Sequence, residues 1–280
     1  ALSSAAAAPA SAVAADGVDV SAITITVRDA NGNPVAGQTV AIGATGAGNA
    51  IGQPAGPTDA SGTVTATIAS TAAETKTITV TVARGPGQIV LADQPTVAFV
   101  GDPATIDATL SSAVAAPASG VPANGSDVST VTVTVRDANG NPVAGQAVAI
   151  TASGSGNALV QPSGPTDAGG VATATIASTV AETKTVTVTV NPLSSPVVLV
   201  EQPTVGFVAS RIRAGDITAA EALEAAIARS EALNPQLNFI ASPAYDYGRA
   251  RAAPHLAGPF AGVPTLVKDR TALAGLPPHF

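Results

Sequence analysis

Apolar and polar positions alternate along most of this chain, and the alternation comes in two matching sets. Val131, Val133 and Val135 fall on one side of an extended segment, with Thr132 and Thr134 on the other. Ile23, Ile25 and Val27 form the corresponding apolar side earlier in the chain, and Val186, Val188 and Val190 alternate with Thr185, Thr187 and Thr189 later. A period of two predicts half-buried β-strands. In the second set the pattern predicts strands over 104–110, 128–136, 145–151, 171–178, 184–190 and 197–205. One apolar and one threonine-rich face per strand predicts antiparallel sheets packed as a sandwich.

The two sets are linked by an exact repeat. Residues 28–38 read R-D-A-N-G-N-P-V-A-G-Q, and so do residues 136–146, a spacing of 136 − 28 = 108 residues. Over the wider alignment roughly 70 of 100 positions are identical, as expected of a recent duplication. The substitutions preserve the apolar face: Ile23 is replaced by Val131, Ile25 by Val133 and Ile78 by Val186. Asn31-Gly32 between alternating runs is a hairpin signal, with Asp29 able to accept from its own downstream backbone and Pro34 unable to donate. The spacing of Asp29, Asn31 and Asn33 also brings a calcium loop to mind. Its glycine comes too early, however, and the bidentate Glu is missing, so plain turn chemistry is expected.

Composition sharpens this picture. The 280 residues are 46% hydrophobic but only 2% aromatic, so the cores must be built from Val, Ile, Leu and Ala. No cysteine is present, which excludes disulfides and thiolate metal sites. Residues 1–208 carry 5 Lys+Arg against 13 Asp+Glu, and residues 209–280 carry 7 against 6. An acidic front almost without aromatics argues against a nucleic-acid partner, and no apolar run is long enough to span a membrane. The only aromatics before the tail, Phe99 and Phe207, are equivalent positions and are expected to be core or inter-domain plugs. The chain contains no methionine. The second copy has residues 104–108 in front of its Leu-Ser-Ser, which the first lacks. From these two facts the chain is read as an internal piece of a longer protein whose first repeat lacks its first strand.

Two resemblances follow from these motifs. The D-A-N-G-N-P-V-A-G-Q stretch, the Gly-Pro-Thr-Asp-Ala-x-Gly stretch at 56–62 and 164–170, and the Thr/Val strand after it resemble bacterial Ig-like repeats of the invasin/intimin type. That implies a mainly β fold with two tandem Ig-like antiparallel β-sandwiches, 1–100 and 101–208. It also implies a stalk or adhesive role on a bacterial surface or in a secreted protein, with a cell-surface or cell-wall partner. No cofactor is expected.

From residue 209 the pattern changes. Thr218 with Glu221 three residues on makes a capping box, and an apolar face runs through Leu223, Ala226 and Ile227 until Asn234-Pro235 stops the helix. A second short helix is expected over 245–253. Gly215-Asp216-Ile217-Thr218, Arg229, Leu233 to Asn238 and G-P-F-A-G-V-P-T-L-V-K-D at 258–269 follow the order of the N-terminal part of amidase-signature hydrolases. The resemblance makes 209–280 an incomplete α/β segment and puts Lys268 at the position of the lysine of a Ser–cis-Ser–Lys triad. The Gly-Ser-Ser-Gly-Gly type loop that would supply the nucleophile does not occur in these 280 residues, so the chain is expected to be inactive. A small amide is then a substrate only for a complete parent hydrolase. Two alternatives stand beside the stalk: a fragment of an amidase carried on Ig-like repeats, and a chimeric gene product. His255 and His279 lack partners at a recognisable spacing and are expected in loops.

Overall fold

The computed structural model describes residues 2–84, 87–191, 193–208, 218–237 and 245–252. The first repeat holds nine strands: β1 (Ser4–Ala8), β2 (Val13–Ala14), β3 (Ser21–Thr26), β4 (Val40–Ala44), β5 (Asn49–Gly52), β6 (Thr63–Ser70), β7 (Thr75–Arg84), β8 (Gly87–Val90) and β9 (Thr96–Val100). The second holds nine in the same order: β10 (Ser112–Ala116), β11 (Ser119–Pro122), β12 (Ser129–Thr134), β13 (Val148–Ala152), β14 (Asn157–Val160), β15 (Val171–Ser178), β16 (Thr183–Val190), β17 (Val197–Val198) and β18 (Thr204–Val208).

Each repeat is a two-sheet sandwich. In the first, one sheet runs β1-β3-β6-β5 and the other β2-β9-β7-β4, with β8 also on β7. The second repeats this as β10-β12-β15-β14 and β11-β18-β16-β13, with β17 on β16. All pairings are antiparallel except β2 with β9 and β11 with β18, which are parallel. Ile23, Ile25, Ile78 and Val80 are fully buried together in the first core; Val131, Val133 and Val135 are fully buried in the second. Phe99 and Phe207 lie in these cores, the first of the two roles expected for them.

Three expectations for the repeats are corrected. Repeat one does not lack a strand, because β1 pairs with β3 as β10 pairs with β12. The additional residues of repeat two form no strand: Pro103–Thr105 is a single 3-10 turn, and only Ile106 bridges to Asp137. Pro103 cannot donate and the Asp102 carboxylate caps the turn by accepting from Ala104 N, so the chain bends instead of extending. The expected strand 197–205 is split into β17 and β18 around Pro203, where the ladder loses a donor.

In the tail, α1 (Ala219–Leu237) carries the expected capping box: Thr218 N donates to Glu221 Oε2 at 2.7 Å and Glu221 N to Thr218 Oγ1 at 3.1 Å. It runs on past Asn234 to Leu237 with Pro235 inside. Pro235 stands in the last turn, so it removes one backbone bond near an end that frays in any case. The second helix, α2 (Tyr245–Arg251), lies against α1 through Gly248 at Leu223 and a two-pronged ion pair from Arg249 to Glu224 at 2.6 and 2.9 Å.

Candidate functional site

The repeated turn carries the densest hydrogen bonding shared by the two repeats. In repeat one Asp29 Oδ1 accepts from Asn31 N at 2.8 Å and Asn33 N at 2.9 Å, and Oδ2 from Asn33 Nδ2 at 2.9 Å. The Asn33 side chain and then its backbone N–H hold the Asp29 carboxyl below its usual range. A carboxylate engaged this way by N–H donors is doing the turn chemistry expected of it. The second motif packs onto the first: the Thr58 hydroxyl donates to Val35 O and accepts from Gln38 N. Gly62 lies so near that a Cβ there would meet Val27 O at 2.5 Å, and Gly170 is held equally close to Val135 O. The closing glycine of each Gly-Pro-Thr-Asp-Ala-x-Gly stretch, Gly62 or Gly170, is therefore required by contact with the turn.

In repeat two the same turn has a further task. Asn141 Nδ2 donates to Thr71 O at 3.1 Å, and Ala73 N donates to Asn141 Oδ1 at 2.8 Å. Asn139 Nδ2 donates to Ala15 O at 2.9 Å. One side-chain amide thus pairs with the donor and acceptor of a backbone edge in the other sandwich, which a carboxylate could not do. Between the two sandwiches the connector closes over the turn. Asp102 N donates to Asp137 Oδ2 at 3.0 Å, Ala138 N to Thr105 O at 2.9 Å, and a Cβ on Gly101 would meet Pro142 O at 2.2 Å. Asp137 is fully buried here, with its oxygens engaged by N–H groups of residues 102, 139 and 141. The repeats are joined end to end by this polar lock.

A second feature was not anticipated from the sequence. Lys76 and Lys184 are completely buried; each donates to a backbone carbonyl, Ala47 O and Ser155 O, and pairs with Glu74 or Glu182. Both glutamates are held below their usual carboxyl range, first by the lysine's hydrogen bond and then by a backbone N–H. The signal was present, since Lys184 falls in phase with Val186, Val188 and Val190. An ammonium on the inner face must be paired and hydrogen-bonded, so this pair closes the end of the sandwich and is not free chemistry. Lys268, His255 and His279 lie outside the described residues.

The profile of the bacterial Ig-like domain (group 1) family matches residues 3–100 and 111–207. This chain belongs to that family. Among solved structures, the group 1 Ig-like pair is similar to Yersinia pseudotuberculosis InvD, with a TM-score of 0.59 and 27% identity. That likeness covers 74% of this chain and 58% of InvD. It is also similar to invasin, described as a bacterial integrin-binding protein, at a TM-score of 0.53 and 26% identity over 74% of this chain and 40% of that one.

The tail beyond the Ig-like pair has its own relatives. It is 45% identical over 69 residues to AmiC of Mycobacterium leprae, named as an amidase. It is 42% identical over 66 residues to the 6-aminohexanoate-cyclic-dimer hydrolase of Paenarthrobacter ureafaciens. The chain spans only 15% and 13% of those proteins. The molecule is thus two invasin-like Ig domains joined to a region similar to part of the amidases.

Proposed function

We propose that residues 1–208 are a stalk of a bacterial surface or secreted protein, acting outside the cell and holding the 209–280 segment away from its anchorage. The observation that carries this reading is the lock at Asn141, which fixes one sandwich on the next where a free linker would let them swing. Both aromatics of the repeats are spent in the cores, leaving no exposed aromatic anchor of the kind that binding patches use. This favours a spacer over an adhesive tip. Invasin's description as integrin-binding makes a cell-surface or cell-wall component the class of partner to test.

Paired spin labels, one on each sandwich of the 280-residue chain, test the stalk. A single narrow distance distribution is expected, and Asn141→Ala should broaden it. That change leaves Thr71 O and Ala73 N without their partner, at a cost of about 1–3 kcal/mol. A broad distribution in the unaltered chain would overturn the reading.

The likeness to amidases supports a second reading, in which the stalk carries an amide hydrolase and Lys268 is its triad lysine. The lysine would have to be neutral to serve as a base, and it needs a serine hydroxyl within hydrogen-bond reach. The 280 residues are expected to show no turnover of a small aryl amide. Joined to a downstream half bearing the serine loop they should show it, and Lys268→Ala should abolish it. Turnover indifferent to Lys268 would sink the assignment.

A further inference from the structure

The turn that locks repeat two onto repeat one occurs a second time, facing solvent. Asp137 and Asn141 are buried, at 0% and 9% exposure, whereas the equivalent Asp29 and Asn33 are exposed. Val143 and Gln146 are buried where Val35 and Gln38 are half-buried. The internal geometry of the two turns is nevertheless the same. Gly32 N donates to Asp29 O at 3.1 Å and Gly140 N to Asp137 O at 2.9 Å, while Val35 N and Val143 N donate to Val27 O and Val135 O at 3.0 Å. Exposing the turn has not changed its shape.

The receiving surface also occurs twice. Repeat one offers Ala15 O, Thr71 O and Ala73 N; repeat two has Ala123, Thr179 and Ala181 in the same places, 108 residues on. The backbone that shapes this end is the same in both. Thr71 N donates to Gly48 O as Thr179 N does to Gly156 O, both at 3.0 Å, and Gly17 N and Gly125 N donate to Ser70 O and Ser178 O, both at 3.0 Å. Ala15 is fully buried under repeat two, whereas Ala123 is only partly covered. Among the described residues no hydrogen bond reaches Ala123 O, Thr179 O or Ala181 N.

We infer that the Asp29–Asn33 turn is a docking site for the C-terminal end of another Ig-like repeat of this type. In that joint Asn33 would pair with the carbonyl and N–H of a Thr-x-Ala edge, as Asn141 pairs with Thr71 and Ala73. The partner's chemistry is specific. It must present an acceptor and a donor two residues apart along one backbone edge, and a third carbonyl within reach of Asn31. It must also arrive through a short connector whose glycine can lie flat on Pro34, as Gly101 lies on Pro142. The end of repeat two meets the first two requirements and residues 101–108 meet the last. The inference rests on the stalk reading and deepens it: the lock at Asn141 is one instance of a joint that can be propagated.

The test extends the 280-residue chain at its N-terminus by another copy of residues 1–108, which preserves the 108-residue spacing. Spin labels are placed across the new joint and, separately, across the existing one. The two distance distributions should be equally narrow. Asn33→Ala should roughly double the width at the new joint alone, because undocked domains default to independent motion. Asn33→Asp keeps the acceptor but loses the donor, is nearly isosteric, and should broaden the same distribution. A broad new joint beside a narrow existing one, or a new joint indifferent to both substitutions, overturns the inference and leaves the stalk reading standing. Broad distributions at both joints overturn both.

Discussion

Ala12 sits at φ +56°, in the left-handed region, and its counterpart in the second repeat is Gly120 at φ +71°. A Cβ at such an angle crowds the following carbonyl at a cost of about 1–2 kcal/mol, which glycine avoids. Ala12→Gly should therefore stabilise repeat one and Gly120→Ala should destabilise repeat two, each by about 1 kcal/mol. Opposite shifts of the two unfolding midpoints in denaturant would check this; shifts of the same sign would refute it. A second pair differs in charge. Asp16 accepts from Val18 N and Asp19 N, and Asn124 accepts from Ser126 N and Asp127 N with the same geometry. The Asp19 and Val18 N–H groups hold the Asp16 carboxyl below its usual range. A carboxyl depressed on folding contributes stability above its unfolded value, near pH 4, and loses it as pH falls through the lower folded value. Asp16→Asn should accordingly make repeat one less sensitive to acid below about pH 4 and change little at pH 7, since an amide oxygen accepts the same two bonds. An acid-unfolding profile unchanged by the substitution would count against this.

At the scale of elements, the cap of α1 is the clearest case of local sequence deciding structure. Thr218→Ala removes an acceptor for Glu221 N and should lower the stability of that helix by about 1 kcal/mol, read as faster amide exchange in its first turn. Exchange unaltered there would show that packing on α2 holds the helix without its cap. The strands were legible for a similar reason. Val131, Val133 and Val135 had to face inward together, and a one-residue slip would have exposed all three. The short strands β11 and β14 were not legible, because four residues with few β-branched side chains carry no period. The strand expected at 104–110 failed because Pro103 and the cap at Asp102 bend the chain, leaving Ile106 a single bridge to Asp137 in place of a ladder. Likewise Asn139 and Asn141 read as turn residues and are turn residues. Their reach into the neighbouring sandwich depends on where a connector folded, which no pattern within one repeat encodes.

At the scale of the whole molecule, two self-contained cores are held in line by a few polar groups. The apolar clusters of the two repeats are separate, and what crosses between them is chiefly hydrogen bonding from residues 139 and 141. Stability and alignment are thus carried by different residues: loss of Asn141 should leave each sandwich folded while freeing its orientation. The parallel pairing of β2 with β9 and of β11 with β18 has a mechanical consequence. In each repeat an early strand lies beside the last strand and points the same way, with Ala15 N bonded to Val100 O at 2.8 Å and Ala123 N to Val208 O at 2.7 Å. Tension applied along the chain pulls these neighbours in opposite directions, so their hydrogen bonds are loaded together in shear and cannot be opened one at a time. Single-molecule pulling should therefore show each repeat yielding at a higher force when stretched from its ends than when its β4 or β13 edge is peeled away. Built this way, the molecule would bear load as a tether.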